Sequence, residues 1–380
     1  MVVAAAAPVI SGTGISQIGR RSGIPAVDLT VQAATAALAD AGLTAADIDG
    51  VITLGDTPAA EAAESLGISA PGDFGRSLGS SGLLTPVVQA YEAIREGRAR
   101  HVLVYRTVQM MGGTVDREAA PGPKPNGEML KFDYLIAAHA YSAVNWLAMH
   151  CRRHMDVYGT TREQLGWVAI NARRNAARNP LAVYRDPITM DDYLAARPIS
   201  SPLGLYDCDV PVDGSIAVVV SHRDYAPDCP SPVGIEAIGG AYGTGGWFHR
   251  DDFPNMASVE AAAQMWSRTE LKPNDLDVAE LYDGFTFLTI AWLEALGICG
   301  NGEAGPFVEG ASRIALDGEL PLNTYGGQLS AGRMHGYWVL HEACLQLRGQ
   351  AGDRQLQRRP ETAVVAAGGG PIAGCMLLTG

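Results

Sequence analysis

Asn323-Thr324-Tyr325-Gly326-Gly327-Gln328-Leu329-Ser330-Ala331-Gly332-Arg333-Met334-His335-Gly336 is the densest run of turn-forming and polar residues in the chain. Paired glycines let a backbone turn sharply or approach a ligand closely. Asn323, Tyr325, Arg333 and His335 beside them point to a lined site. The spacing predicts a helix from Tyr337 to Leu347. Its amino end would face the loop and favour developing negative charge. A tight loop that only packs a helix on a sheet is the plain alternative.

Three further signatures lie outward from this loop. Ala366-Ala367-Gly368-Gly369-Gly370-Pro371 joins two predicted strands, Ala363–Val365 and Ile372–Leu378. Gly368, Gly369 and Gly370 there either present N–H groups to an oxyanion or simply bend the chain. Glu280-Leu281-Tyr282-Asp283-Gly284-Phe285-Thr286 closes another strand. Tyr282 beside Asp283 suits proton transfer, unless Asp283 is only a helix N-cap. Gly79-Ser80-Ser81-Gly82 enters a helix predicted from Leu83 to Ile94. The amides near Gly79 are placed to stabilise a thioester oxygen, or the serines merely cap the helix.

The rest of the chain alternates strand and helix. Val9–Gly14 reads as a strand running into a glycine turn, Asp28–Ala41 as a helix stopped by Gly42, and Ile48–Thr53 and His101–Tyr105 as strands. That alternation predicts an α/β sheet covered on both faces. Between residues 114 and 213 the pattern becomes mostly helical, with helices expected over Ala137–Arg152 and Arg162–Arg178 and a cluster of arginines. Ile216–Ser221 resumes as a strand, and a second α/β unit begins near Pro232. Leu271–Leu281 parallels Leu43–Leu54, which implies two copies of one unit.

Composition narrows the function. The chain has 380 residues, enough for two or three domain-sized units. Its net charge of −13 argues against nucleic acid and against an anionic membrane surface. Charged residues are only 18%, so much surface is expected to be hidden in a core or an interface. The six cysteines form no C-x-x-C pair and read as free thiols in a reducing, cytoplasmic setting. The longest apolar stretch, Leu135–Met149, is broken by polar residues and too short to span a membrane. A third glycine of the dinucleotide fingerprint is missing after Gly12-Thr13-Gly14, and there is no G-x-S-x-G elbow. His150 and His154 lack metal-site spacing, so no metal is expected.

Taken in order, these pieces resemble the thiolase superfamily, closest to its lipid-transfer, sterol-carrier-protein-type branch. Gly79–Gly82 sits where thiolases carry C-x-S-G. Asn179-Pro180 with Ala182, and Asp207-Cys208-Asp209 with Asp213-Gly214, look like N-P-x-A and D-C…D-G-A. Asn323–Met334 looks like N-x-x-G-G-x-x-x-x-G-H-P, and Ala366–Gly370 like C-x-G-G-G. The resemblance covers nearly the whole chain. It implies an α/β thiolase fold: two similar βαβαβαββ halves packed as αβαβα layers, each with a five-stranded mixed sheet. Residues 1–113 with 214–231 would form one half and 232–380 the other, with 114–213 an inserted helical loop region. It also implies a homodimer joined through an edge strand near His101–Arg106.

The departures set the chemistry. Gly79 takes the place of the nucleophilic cysteine, Arg333 of the histidine and Ala366 of the second cysteine. Acyl transfer through a thioester on this chain is therefore not expected. The same departures make the chain similar to steroid side-chain-cleaving aldolases, which lack the cysteines, use tyrosines and work with a small partner carrying an OB-fold and often a zinc ribbon. The implied reaction is retro-aldol cleavage of a β-hydroxyacyl-CoA to a ketone and a short acyl-CoA. Tyr282, Tyr325 and His335 are the candidate acid/base groups, with Asp283 and Arg333 as electrostatic partners. A tyrosine base would need a nearby cation such as Arg333. Gly79, Gly368–Gly370 and Asn323 are the candidate oxyanion and substrate-binding residues. No cofactor is expected beyond the CoA that the substrate carries. The alternatives are a non-catalytic acyl-CoA or lipid-binding subunit, and an acyltransferase that borrows a partner's nucleophile.

Overall fold

A computed structural model describes residues 8–69, 72–73, 81–111, 135, 137–226, 229, 231–243 and 246–380. The first half runs β1 (Pro8–Ile15), α1 (Ala26–Ala41), β2 (Gly50–Thr53), α2 (Ala59–Leu66), β3 (Gly72–Asp73), α3 (Thr85–Arg95) and β4 (His101–Gln109). Then come α4 (Ala143–Tyr158), α5 (Arg162–Ala176), α6 (Met190–Ala195), β5 (Pro198–Ser200) and β6 (Leu203–Gly204). β7 (Asp213–His222) returns to the sheet. The second half is β8 (Val233–Tyr242), α7 (Ser258–Trp266), β9 (Val278–Leu281), α8 (Thr286–Ala295), α9 (Ala304–Val308), α10 (Tyr337–Arg348), β10 (Thr362–Gly369) and β11 (Ile372–Thr379).

The two halves repeat each other strand for strand. In the first, β3-β2-β4 are parallel and β7 is antiparallel to both β4 and β1. In the second, β9-β10 are parallel and β11 is antiparallel to both β10 and β8. A single parallel bridge, Ala279 to Leu322, stands where β3 stands in the first half. Even the local chemistry recurs. The Thr44 N–H donates to Asp47 and the Lys272 N–H to Asp275, each at 2.8 Å, before β2 and β9. Asp49 accepts the Arg100 and His101 N–H groups that start β4, and Asp277 accepts those of Glu361 and Thr362 that start β10.

Alternating strand residues feed opposite cores, as a two-residue period demands. Val102 and Val104 face the inner core while Leu103 and Tyr105 face α1 and α2. Ala363, Val365 and Ala367 face the inner core while Val364 and Ala366 face α7 and α8. The inner layer is α3 and α10. Every residue of α10 except Leu345 is buried, including Glu342, His341 and Gln346.

Several expectations change. Two five-stranded sheets were expected. Among the described residues they join edge to edge into one nine-stranded sheet through Val9–Gly234 and Ile10–Val233 pairing. The strand at His101–Arg106 is not an edge, because β4 pairs with β2 on one side and β7 on the other. A homodimer contact there has no free backbone to use; among the described residues β3 is the outer strand of that half. Gly12 and Gly14 do not turn the chain. They lie within β1, where a methyl group would overlap the carbonyl oxygens of Ala37 and Ala33 in α1. The helix expected over Ala137–Arg152 starts at Ala143, where extended Ser142 caps it with Asn145, and ends at left-handed Gly159. Gly12→Ala should therefore lower unfolding stability by about 1–3 kcal/mol through overpacking, read as a shift in the denaturant midpoint.

Candidate active site

Tyr282 and Asp283 leave the end of β9, and the Tyr282 N–H donates to the Ala366 carbonyl on β10. The loop 323–336 is pinned to that strand end. Asn323 accepts the Leu281 N–H on its side chain at 2.7 Å and donates its own N–H to Ala279. The loop's middle, Gly327–Ala331, is one wide helical turn, and the Gln328 N–H donates to Asp283 Oδ1 at 2.7 Å. Gly327 has φ +63°, and any side chain there would collide with Asp283 Oδ2. That residue is glycine because carboxylate and backbone must nearly touch.

The buried Asp283 carboxyl is pushed up to about 6 by desolvation, against the pull of the Gln328 and Leu329 amides. Its Oδ2 has no hydrogen-bond partner among the described residues. Tyr282 is half-buried. Burial and the neighbouring Asp209 charge push its phenol well up, while Arg333 and Arg106 pull it down less strongly. The expected cation is present but outweighed, so Tyr282 is a proton donor at neutral pH.

Arg333 reaches Asp209 Oδ1 at 3.2 Å and the Met110 sulfur at 3.0 Å. His335 Nδ1 lies 2.6 Å from the Arg106 guanidinium. A guanidinium only donates, so Nδ1 accepts and the proton of the neutral ring sits on Nε2. Burial and the charges of Arg106 and Arg333 hold His335 well below its ordinary value. Tyr325 is completely buried and stacked on Trp338 with ring centroids 5.2 Å apart. Its buried hydroxyl has no hydrogen-bond partner among the described residues.

The glycines divide. Gly368 and Gly369 pair with Ala373 and Ile372 at the tip of the β10–β11 hairpin. The Gly370 N–H is taken by the Met256 sulfur at 3.0 Å. Gly79 lies outside the described residues, whereas Ser81 and Gly82 pack against Gly374 and Ile372 of the same hairpin. Burial pushes the thiols of Cys208, Cys299 and Cys344 up to about 12, and those of Cys151 and Cys375 further. None of these five offers a thiolate near neutral pH.

Sequence reasoning missed Asp209, Arg106 and Met110 as site residues. Asp209 was visible only as part of the D-C-D segment. Nothing local marked Arg106, which reaches His335 from 229 positions away. The His150 ring nitrogens lie 2.9 and 2.8 Å from the Pro254 and Trp247 carbonyl oxygens, which accept the ring N–H, and His154 meets Glu294 at 3.0 Å. No group that could hold a metal ion is found among the described residues. Nor is any described helix long and apolar enough to cross a membrane.

Comparison with known proteins bears on this arrangement. The thiolase C-terminal domain-like family matches residues 240–378. A steroid side-chain-cleaving aldolase of Thermomonospora curvata is 33% identical, covering 99% of both chains. This chain belongs to the thiolase-like steroid side-chain-cleaving aldolases. The 17-hydroxy-3-oxo-4-pregnene-20-carboxyl-CoA lyase of Mycobacterium tuberculosis is 34% identical over 90% of this aldolase and 91% of its own length. The solved Ltp2-ChsH2(DUF35) aldolase superposes with a TM-score of 0.91 at 31% identity, covering 99% of this chain and 98% of that one. A monomeric SCP2-thiolase-like protein of Mycobacterium smegmatis, at 17% identity and TM-score 0.75, shares the fold. The aldolase is thus a carbon–carbon lyase on a thiolase scaffold.

The raised Asp283 carboxyl sets a pH signature. In the unfolded chain the group ionises near 3.8, in the folded aldolase near 6. Its contribution to stability is greatest below about pH 4 and is lost as pH rises to about 6, a fall of roughly 3 kcal/mol. Asp209 acts in the same direction. Asp283→Asn should flatten this part of the stability–pH curve measured by denaturant unfolding.

Proposed function

We propose that this aldolase cleaves a branched β-hydroxyacyl-CoA, of steroid side-chain type, to a ketone and a short acyl-CoA. One observation carries the reading. Where a thiolase needs nucleophiles, the site offers a protonated tyrosine, Tyr282, beside the Arg333–Asp209 pair, with Ala366 and Arg333 at reactive positions. Such a site cannot hold an acyl group covalently, but it can move protons on a thioester enolate.

The Cα–Cβ bond breaks as the β-hydroxyl loses its proton, and its electron pair enters the thioester as an enolate. Tyr282 returns a proton to Cα. Neutral His335, with its proton on Nε2, donates a hydrogen bond to the thioester oxygen. Gly79 and the hairpin tip at Gly368–Gly369 are the proposed amide side of the same oxyanion site, and of the two paired glycines only the one whose N–H points away from β11 can donate. Arg333 stabilises the developing negative charge. Asn323 and Asp283 hold the loop in place, and Tyr325 supports it from below.

The substrate class is supported by the relatives at 33% and 34% identity, a steroid side-chain-cleaving aldolase and a pregnene-carboxyl-CoA lyase. A second component is supported by the superposed aldolase, which is named together with ChsH2(DUF35). An OB-fold and zinc-ribbon partner, a homodimer and a cytoplasmic location belong to the same proposal. The six unpaired thiols fit a reducing compartment.

Incubation with a steroid C22 β-hydroxyacyl-CoA, with and without an OB-fold partner, tests it by mass spectrometry. A ketone with propionyl-CoA is the expected outcome. Tyr282→Phe should lower kcat by about 10²–10⁴-fold with substrate binding retained, and His335→Ala should also slow turnover. Tight binding with no cleavage, partner present, would move the protein to a binding role.

A further inference from the structure

A cavity of about 340 Å³ opens beside the loop and is lined in part by Arg20, Arg173, Tyr184, Tyr206, Cys208 and Asp209. Among the described residues of that lining, Asp209 is the one carboxylate. Its side chain is 7% exposed, and its Oδ1 is held by Arg333 at 3.2 Å. Among the described residues nothing donates a hydrogen bond to Oδ2. We propose that Asp209 is the base that takes the β-hydroxyl proton. This rests on the retro-aldol reading above and supplies the group that reading lacks.

The backbone around Asp209 is fixed on both sides. Its N–H donates to the Gly284 carbonyl at 3.0 Å, two residues beyond Tyr282. The next residue, Val210, donates to Gln328 and accepts from Arg333, at 2.9 and 2.8 Å. The segment is therefore laced to both the strand end and the loop. Arg333 orients one oxygen and leaves the other for substrate, a fixed geometry with one open acceptor.

The charged and titratable groups facing Asp209 come from every neighbouring element. Asp283 and Tyr282 stand at the end of β9, and Arg333 on the loop. Arg20 follows β1, Arg173 lies on α5, and Asp207 and Cys208 sit on its own segment. Burial and Asp283 raise the Asp209 carboxyl, Arg333 lowers it, and it settles at about 7. A base of that strength is matched to neutral pH. Tyr282 is its counterpart as acid, because the Asp209 charge helps keep the phenol protonated. Two groups with separated protonation states mark an acid–base pair.

The step balances without a co-reactant. Asp209 Oδ2 gains the hydroxyl proton, and the O–H pair becomes the new carbonyl bond. The Cα–Cβ pair becomes the enolate. The Tyr282 O–H protonates Cα, and the Asp209 proton then returns to the phenolate. A ketone and an acyl-CoA leave, and the enzyme is reset.

The test is the pH profile of kcat/KM for the branched β-hydroxyacyl-CoA, which reports groups of the free enzyme. Wild type should lose activity below about pH 7. Asp209→Asn should cost about 10²–10⁴-fold in turnover and abolish that acid limb. Its Kd for an analogue lacking the β-hydroxyl should stay unchanged. Asp209→Glu should recover part of the rate and keep the limb. The assignment is overturned if Asp209→Asn keeps the acid limb or turns over within about tenfold of wild type. A wild-type profile flat between about pH 5.5 and 8 overturns it too, with no variant needed. No cleavage by wild type would instead sink the retro-aldol reading itself, and Asp209's role with it.

Discussion

A buried carboxylate in contact with a glycine backbone holds the site together. Asp283 leaves β9 and accepts the Gln328 amide across the loop. This single acceptor sets where Tyr282 ends, how the loop turns and where Arg333 and His335 emerge. It succeeds because Gly327 leaves room that no other residue would leave. Asn323 adds a second tie to the same strand end. Water competes poorly with such contacts in a buried site, so the loop keeps one geometry.

The scaffold that presents this contact is a duplicated one. Strand order and even carboxylate caps recur, as Asp49 and Asp277 show at the starts of β4 and β10. Duplication puts two helix amino ends, those of α3 and α10, in the inner layer. Gly79 and Ala366 stand where the thiolase resemblance calls for cysteines, and the loop and hairpin still meet at the end of β9. Buried charge under the loop is compensated locally. Glu342 takes two bonds from Arg354 at 2.9 Å each and shares the Thr324 hydroxyl with Glu280. Glu280, pushed well up by burial and by Glu342, adds little charge to the pair.

Electrostatics set the proton affinities of these groups. Identical residue types in water would give two carboxylates ionised near 4, a tyrosine near 10 and a histidine near 6.5. Enclosure spreads these apart. Asp209 moves to about 7, Tyr282 moves up and His335 moves down. Each shift has burial as its largest cause, and the fixed charges of Arg106 and Arg333 adjust it. The histidine is left as a neutral donor, the phenol as an acid and one carboxylate near neutrality.

The fold was legible in the chain because its signals are local. Glycines forced to positive φ, strand runs and capped turns sit in fixed order, and a glycine, an arginine and an alanine at reactive positions announce the loss of nucleophile chemistry. Tyr282, Asp283, Arg333 and His335 could be picked out beside those glycines. What only the tertiary structure decided is which side chains meet and in which protonation state. Arg106 meets His335 across 229 positions, Met110 meets Arg333 across 223 and Asp209 meets Arg333 across 124. Tyr325 is a candidate acid or base by sequence alone, and only the fold shows it fully buried and stacked on Trp338. Proton affinity depends on desolvation and on charges brought close by folding, and neither is written in any short stretch of sequence.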